Sequence, residues 1–412
     1  MIAMKVRIHR GANEIGGSCV EVESSGQRIL IDAGMPLNLP ASAIPSLPQI
    51  DKSSLCAVLI SHPHQDHYGL LPWLPPVTVV MGATARRILR TAAPFLQQRP
   101  LELDGPEFVH RQAMQIGPFR VTPYLVDHSA YDAYALLIEA DGRRLFYSGD
   151  FRNHGRKRSL VEQLMASPPR DIAALILEGT TLGRLDQETR PLTESDLEDQ
   201  FERVFKETAG LALVHTSGQN IDRLVTIFRA CIKANRTLVV DFYTAQILEA
   251  TGNSQIPQSD WYKIALAIPQ RQRIQIKRNG WFDALARHSA NRIYVGRHIA
   301  KNPEKYALVF RGLWMADLDR AECLTGACLI HSQWEGYLKE PAFMEIDGWR
   351  QRHGMPFHQI HTSGHASPQD LKRFALAMAP EVLVPIHSAA PERFEDIYPN
   401  AVMRADGEWW AV

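Results

Sequence analysis

Over the first 180 residues, short apolar runs alternate with turn signals such as Ser-Gly, Asp-Gly and Gly-Pro, a pattern of many short strands and few helices. The strands fall at 6–10, 19–23, 28–32, 56–61, 77–81, 120–126, 133–139, 145–148 and 172–177. A helical period covers 83–96, with Pro94 near its end. From about Pro191 the period changes. A helix at 193–208, where Ser195 stands three residues before Glu198 as a capping box, precedes a strand at 211–215, a helix at 221–234 and a strand at 237–242. That βαβ alternation implies a parallel sheet with right-handed crossovers, a separate α/β unit that a strand at 327–331 closes. A strand at 357–362, a helix at 368–379 and a strand at 382–386 return to the style of the first part. The expected organisation is an α/β domain over 1–188, an α/β insertion over 189–345, and completion of the first domain by 346–412.

Composition narrows the class. A chain of 412 residues exceeds one ordinary core, and 45% hydrophobic with 22% charged residues describes a globular protein rather than a disordered one. The 45 Lys and Arg balance 45 Asp and Glu, which excludes a uniformly basic nucleic-acid binder but leaves local patches open. Apolar runs such as 55–60 and 172–177 are too short to span a bilayer, so no membrane partner is expected. The start has Lys5, Arg7 and Arg10 but no apolar core of a signal peptide. The cysteines, Cys19, Cys56, Cys231, Cys323 and Cys328, are odd in number and form no CxxC pair; small core thiols in a reducing cytoplasm fit best. The anomaly is the 16 histidines.

The most informative stretch is Leu55-Cys-Ala-Val-Leu-Ile-Ser-His62-Pro-His64-Gln-Asp66-His67-Tyr-Gly-Leu. A strand of buried type ends at Ser61, and four potential ligands follow at once. In extended backbone His62 and His64 point the same way, with Pro63 stiffening the link. Asp66 and His67 fall where the chain turns into a helix, aimed at a second point nearby. Imidazole and carboxylate suit Zn²⁺, and no thiolate competes. Further candidates end other strands: His128 after Val126-Asp127, Asp150 after Ser-Gly, and His387 after Val384-Pro-Ile. Singly each is weak. Together they make a set large enough for two metals with a carboxylate between them.

These motifs resemble those of the metallo-β-lactamase-fold hydrolases, and more narrowly the β-CASP nucleases of RNase J type. Gly11-Ala-Asn-Glu-Ile-Gly-Gly-Ser-Cys and Ile31-Asp32-Ala-Gly-Met-Pro resemble that family's opening strands and first motif. His62, His64, Asp66 and His67 match the second motif, His128 the third, Asp150 the fourth and His387 the last ligand. Ile176-Leu-Glu178-Gly-Thr-Thr is similar to the acidic motif that opens the β-CASP insertion, and His361-Thr-Ser363-Gly-His365-Ala-Ser to the HxSGH motif that follows it. Val214-His-Thr-Ser-Gly-Gln-Asn-Ile-Asp-Arg matches the insertion's first βα unit more loosely. The resemblance implies an α/β fold, a metallo-β-lactamase αββα sandwich with an inserted β-CASP parallel-sheet domain.

It also implies a ligand set. One zinc falls to His62, His64 and His128, the other to Asp66, His67 and His387, with Asp150 bridging and Asp32 orienting a ligand histidine from behind. Manganese is the other metal the family admits. Two ions with a bridging hydroxide would attack a phosphodiester in line, Asp66 counting among the catalytic groups. His361 and Ser363 would bind the phosphate near the scissile bond, and His365, oriented by Glu178, would stabilise the transition state or protonate the leaving oxygen. The expected enzyme is a zinc-dependent ribonuclease acting on single-stranded RNA in the cytoplasm, with self-association of the chain as a further partner expectation. A DNA nuclease of the same family, a small-molecule metallohydrolase and a non-catalytic RNA-binding protein are the alternatives. Two Zn²⁺ would add four positive charges to a neutral chain, so the site would draw a phosphate without a basic surface.

The remaining features are weaker. Gly11–Gly17 lacks the Lys-Ser/Thr of a P-loop and reads as a strand connection. Ser367 is placed to cap the helix at 368–379. Arg86-Arg87, Arg156-Lys157-Arg158 and Arg271-Gln-Arg273 with Lys277-Arg278 are local basic clusters; the last is followed by Trp281-Phe282, which could stack a base or pack a core. Trp409-Trp410 reads as packing for a final strand.

Overall fold

A computed structural model of the chain describes residues 4–37, 39, 43, 45–96, 101–186 and 190–412. It divides into two compact units, the first made of Met1–Ala93, Gln97–Pro191 and Gly364–Val412, the second of Pro94–Leu96 and Leu192–Ser363.

In chain order the first unit supplies β1 (Lys5–Arg10), β2 (Cys19–Ser24), β3 (Gln27–Ile31), β4 (Leu55–Leu59), β5 (Val79–Gly82), β6 (Glu107–Phe108), β7 (Met114–Ile116), β8 (Phe119–Val126), β9 (Ala133–Ala140), β10 (Arg143–Tyr147) and β11 (Ala174–Glu178). The second unit holds β12 (Ala212–His215), β13 (Thr237–Val240), β14 (Ile264–Leu266), β15 (Tyr306–Phe310), β16 (Cys328–His331) and β17 (Phe357–Gln359). The chain then returns to the first with β18 (Val382–Ile386) and β19 (Trp409–Ala411).

Two sheets form the first unit, ordered β19-β1-β2-β3-β4-β5-β6 and β18-β11-β10-β9-β8-β7. The period of two decides which side chains they share. Val6, Ile8, Ile29, Ile31 and Leu59 from one sheet and Val121, Leu136, Ile138, Leu145 and Ile176 from the other form a single buried cluster between them. The intervening residues face outward and are covered too. Leu30, Val58 and Ile60 pack with Ala85 and Leu89 of the helix Ala83–Leu96. Leu137, Phe146 and Leu175 pack with Val161 and Leu164 of Arg158–Ala166 and with Leu371 and Phe374 of Pro368–Met378. Each such side chain contributes about 1.5–3 kcal/mol by leaving water. The result is an αββα sandwich. Strands buried on both faces explain why β4, β11 and β18 read as continuous apolar runs rather than alternations.

The second unit is an all-parallel sheet, β14-β13-β15-β12-β16-β17, with helices from Glu194–Glu207 to Pro341–Arg352 around it. Several expectations need correction here. The capping box is Thr193 with Asp196, not Ser195 with Glu198, because Thr193 keeps an extended backbone (ψ 163°) and accepts from the Asp196 amide. The expected 345/346 boundary falls inside the helix Pro341–Arg352, and the expected strand at 357–362 is β17, which pairs with β16 (Leu329 opposite Phe357) in the second unit's sheet. The division lies at Ser363/Gly364 instead. The expected 188/189 boundary lies outside the described residues. Ser367 caps Pro368–Met378 as read, accepting from the Asp370 amide.

Candidate metal centre

The candidate ligands of the first unit all stand where strands end. β4 stops at Leu59, the chain bends through Ser61, His62 and Pro63, and an extended His64 leads into the short helix Gln65–Tyr68, which carries Asp66 and His67. Gly34 lets the two segments touch: a Cβ there would sit 1.9 Å from the Asp66 carbonyl oxygen. His128 follows β8, Asp150 follows β10 through Gly149 (φ +54°), Glu178 ends β11 and His387 follows β18. Asp32 and His387 both hold left-handed backbone, φ 60° and 53°.

These side chains converge in two triads joined by a carboxylate. Ligand atoms of His62, His64 and His128 lie within 4.8 Å of one another, as do those of Asp66, His67 and His387, and those of His62, His67 and Asp150. Asp150 Oδ2 stands 3.1 Å from His67 Nε2, 3.7 Å from His62 Nε2 and 3.8 Å from His387 Nε2. Asp66 Oδ2 is 3.2 Å from His387 Nε2. His128 Nε2 and His64 Nδ1 face each other at 3.2 Å. His62, His67, His128, Asp150 and His387 are buried, and His64 and Asp66 are half-buried.

Partners behind the rings fix which nitrogen faces the centre. The Ser61 hydroxyl donates to Asp32 Oδ2 at 2.8 Å and therefore accepts from His62 Nδ1–H at 3.0 Å. His67 Nδ1–H donates to Asp32 Oδ2 at 2.7 Å, and His128 Nδ1–H to the Gly364 carbonyl at 2.6 Å. The Thr180 hydroxyl donates to Glu178 Oε2 at 2.8 Å and accepts from His387 Nδ1–H at 2.9 Å. Each bond holds a proton on Nδ1 and turns Nε2 to the centre, the nitrogen a metal takes once any proton on it is displaced. Asp32 is fully buried and accepts two further bonds, from the Ser61 amide at 2.7 Å and the Tyr147 hydroxyl at 2.7 Å. Burial and Asp32 together push the Tyr147 phenol up, so it stays a donor.

The residues fit a divalent cation on two grounds. His62 Nε2 and His67 Nε2 are buried without a hydrogen bond; His67 Nε2 stands close to Asp150 but off the line such a bond needs. Orphan polar atoms of that kind are costly unless something charged satisfies them. The local field points the same way. Burial drives the pKa of His62, with help from His67 and His128, and that of His128 well below the usual imidazole value, and that of His64 down to about 4. At His67, burial is overcome by Asp150, Asp32 and Asp66, which raise it. For Asp66 and Asp150, burial is overcome by the neighbouring histidines, His67 and His387 foremost, which keep both carboxyls ionised.

Glu178, His365, Asp150 and His387 form a fourth group. His365 Nδ1 lies 3.0 Å from Glu178 Oε2 and 3.7 Å from Asp150 Oδ2. Burial lowers His365, but the two carboxylates prevail and lift it to about 9. Glu178 is itself held by the Phe151 amide at 3.0 Å. His361 and Ser363 lie in the second unit, where His361 Nδ1 is 3.5 Å from Arg223 Nη1, a guanidinium paired with Glu194 at 3.2 Å. Sequence reasoning missed Ser61, Tyr147 and Thr180. Their only signal was a hydroxyl at a strand end beside a candidate ligand. Trp281 is half-buried and packs tilted against Phe95, ring centroids 4.8 Å apart, and Phe242 at 6.4 Å. Trp410 is buried in the sandwich, and Trp409 is covered by Arg7 at 4.5 Å.

Comparison with known proteins agrees with this architecture. Residues 12–190 match the family model described as the metallo-beta-lactamase superfamily. An RNase J-like protein of Methanocaldococcus jannaschii is 26% identical over 60% of this chain and 59% of its own length. Ribonuclease J of Helicobacter pylori is 22% identical over 93% of this chain and 56% of its own, and the endoribonuclease YSH1 of Eremothecium gossypii 25% identical over 60% and 34%. The chain thus spans less than three-fifths of the length of these curated relatives. A solved structure of a protein of unknown function from Enterococcus faecalis superposes over 100% of both chains, with a TM-score of 0.78 and 21% identity. Strand-end histidines, sandwich and parallel-sheet insertion agree with these likenesses: residues 12–190 match the metallo-beta-lactamase superfamily, and the chain is similar to RNase J-like proteins.

Proposed function

We propose that the chain is a metal-dependent phosphodiesterase that cleaves single-stranded RNA, holding two Zn²⁺ per chain. His62, His64 and His128 would hold one ion and Asp66, His67 and His387 the other, with Asp150 shared. The observation that carries the reading is the set of buried imidazoles whose Nδ1 protons are committed to Ser61, Asp32, Gly364 and Thr180, so that their Nε2 atoms converge beside Asp150. When bound, such ions supply Lewis acidity and lower the pKa of an attacking water.

The chain's own groups account for the remainder. Asp32 fixes the His67 ring, and Glu178 both anchors Thr180 and keeps a proton on His365. With Nδ1 directed at Glu178, His365 gives its Nε2 proton to the leaving oxygen, and its raised pKa keeps it charged at neutral pH. His361 and Ser363 bind the phosphate near the scissile bond. The names of the relatives support RNA over other phosphodiesters.

The test joins metal analysis to product mapping. About two equivalents of zinc per chain and cleavage of labelled single-stranded RNA are expected, with activity abolished by Asp66→Ala together with His67→Ala. Full ribonuclease activity in that double variant refutes the proposal. Competition by unlabelled single-stranded DNA reads the preference between the two nucleic acids.

A further inference from the structure

The helix Gln270–Asn279 of the second unit has a firmly held inner face. Gln272 accepts from the Phe242 amide at 3.0 Å and donates to Asp241 at 2.9 Å, Ile276 is buried, and Asp317 accepts from the Gln270 amide at 2.9 Å. At 100° per residue, everything opposite Gln272 and Ile276 points outward. That outer face consists of Arg271, Lys277 and Arg278 around Ile274, all exposed, Ile274 by 58%, with Arg273 exposed at its flank, where its Nε donates to the Ile268 carbonyl at 2.8 Å. Gly280 (φ 67°) ends the helix and delivers Phe282, 59% exposed, at the start of the next.

The charge here is unbalanced in a chain that balances overall. Between residues 271 and 301 stand eight Lys or Arg and a single acid, Asp283, against 45 of each sign in the whole sequence. Among the described residues, Arg271, Arg273, Lys277 and Arg278 have no carboxylate within ion-pair distance. Elsewhere in the same unit, cations on helices are matched: Lys233 meets Glu198 at 3.0 Å, Asp199 at 3.1 Å and Glu202 at 3.6 Å. A surface that serves solubility alone mixes both signs in the second manner.

We infer that this basic helix face, with Phe282 beside it in sequence, is a binding face for single-stranded RNA outside the metal centre. The substrate class rests on the function proposed above. The cations neutralise backbone phosphates without reading sequence, and the exposed ring offers a stacking platform that tolerates any base. One isoleucine and one phenylalanine give too little apolar area for a membrane anchor, which needs a continuous apolar stripe.

Binding of a 5′-fluorescein 20-nucleotide RNA is followed by anisotropy in EDTA, which suppresses cleavage, over a range of salt. Replacing Arg271, Arg273, Lys277 and Arg278 by Gln together lowers the salt slope by about 2.8, and the affinity by on the order of a hundredfold near 0.15 M salt, at about 0.7 per phosphate contact. Phe282→Ala weakens binding by about fivefold or more, as loss of one stacked base does. A control removes the same charge from exposed Lys5, Lys52, Arg170 and Lys372 of the first unit, and it leaves binding within twofold. If the quadruple variant melts early, Arg271→Gln with Arg278→Gln and Arg273→Gln with Lys277→Gln each show half the slope change. Wild-type affinity in the helix variants, an equal loss in the control, or helix-dependent binding to phosphatidylglycerol vesicles without binding to RNA overturns the inference. Hydrolysis of bis(p-nitrophenyl) phosphate, which has no polynucleotide backbone for these cations to hold, stays unchanged in the helix variants. If the wild type hydrolyses neither that ester nor RNA, the nuclease reading fails, while the EDTA binding experiment still decides the helix face.

Discussion

Asp32→Asn is the most informative single change, because it alters no shape and almost all of the wiring behind His67. Three donors converge on Asp32 Oδ2: the Ser61 hydroxyl at 2.8 Å, His67 Nδ1–H at 2.7 Å and the Tyr147 hydroxyl at 2.7 Å; the Ser61 amide donates to Oδ1 at 2.7 Å. An amide in that place has one acceptor oxygen. In its better orientation the oxygen keeps the three converging donors, now without charge assistance, and the NH₂ confronts the Ser61 amide. A buried donor left without an acceptor costs about 1–3 kcal/mol, and losing the charge on the other bonds weakens each by roughly half. Asparagine accepts the left-handed backbone (φ 60°) about as well as aspartate, so no backbone term is added. The expected loss of stability is therefore about 2–4 kcal/mol, read from urea unfolding of the metal-free protein. Without the carboxylate, nothing charged holds the proton on Nδ1, and His67 can present Nε2–H to the centre instead of a lone pair. Metal affinity is expected to fall about 10–100-fold, measured by competition with a chelator. A variant that unfolds with a lower urea midpoint yet binds metal within twofold of wild type refutes the orienting role and makes Asp32 a purely structural acid.

Thr180→Val keeps the shape but removes the hydroxyl between Glu178 and His387, leaving His387 Nδ1–H unpaired; affinity for metal should drop by about tenfold in the chelator assay, and no change refutes the linkage. Glu178→Gln takes away the largest influence raising His365, so its pKa should fall from about 9 toward the ordinary 6.5, and the alkaline limb of the pH profile of RNA cleavage should move down with it, with metal content intact. An unmoved pH profile with retained metal counts against His365 as the acid. Glu21 gives a pH prediction remote from the metal centre. Burial would raise its carboxyl, but His9 at 2.7 Å and Arg7 at 2.6 Å outweigh it and hold the pKa below the usual 4.5. A depressed folded pKa means that its stabilisation is present above 4.5 and is lost as pH falls through the lower folded value. Urea midpoints between pH 6 and pH 3 should therefore fall more steeply in wild type than in Glu21→Gln, and parallel curves refute it.

The candidate centre was legible in the sequence because histidine and aspartate have no packing role at the end of an apolar strand, so each one there stands out. What lies behind it was not legible. Tyr147 ends β10 as an aromatic in a run of buried residues, and its bond to Asp32 joins positions 115 apart, a pairing fixed only by how the two sheets face each other. The sandwich followed from the period of two, whereas β17 did not reveal its sheet. Its three residues alternate between exposed and half-buried, and only pairing with β16 assigns them to the second unit. No element was expected between 242 and 327. The helix Gln270–Asn279 turns only Gln272 and Ile276 inward, too few for a helical period to show, and β15, between Asn302-Pro303 and Gly312, is a five-residue apolar run whose length fits a buried helical turn as well as a strand. The capping error has a similar origin. Thr193 and Ser195 are both good caps, and the choice depends on which residue the incoming chain leaves extended.

Backbone strain ties the centre's design to its chemistry. Asp32 and His387 each follow a strand and each turn left-handed, a conformation that costs a residue with a Cβ roughly 1–2 kcal/mol. At Asp32 four hydrogen bonds offset that cost. At His387 the amide bonds to the Gly11 carbonyl at 2.7 Å and the ring to Thr180 through Nδ1 at 2.9 Å and to Asp66 through Nε2 at 3.2 Å. Its Nε2 then faces two carboxylates, Asp66 at 3.2 Å and Asp150 at 3.8 Å. A fold selected for stability alone would place glycine or asparagine at 387 and keep two carboxylates from converging on one side chain. Here the strained residue is the one that closes the Asp66–His67 triad, from a strand more than 300 positions away in sequence. The arrangement is therefore set before a ligand arrives, by hydrogen bonds from Ser61, Asp32, Gly364 and Thr180 that hold each ring in place, and a bound cation relieves the electrostatic cost these bonds impose.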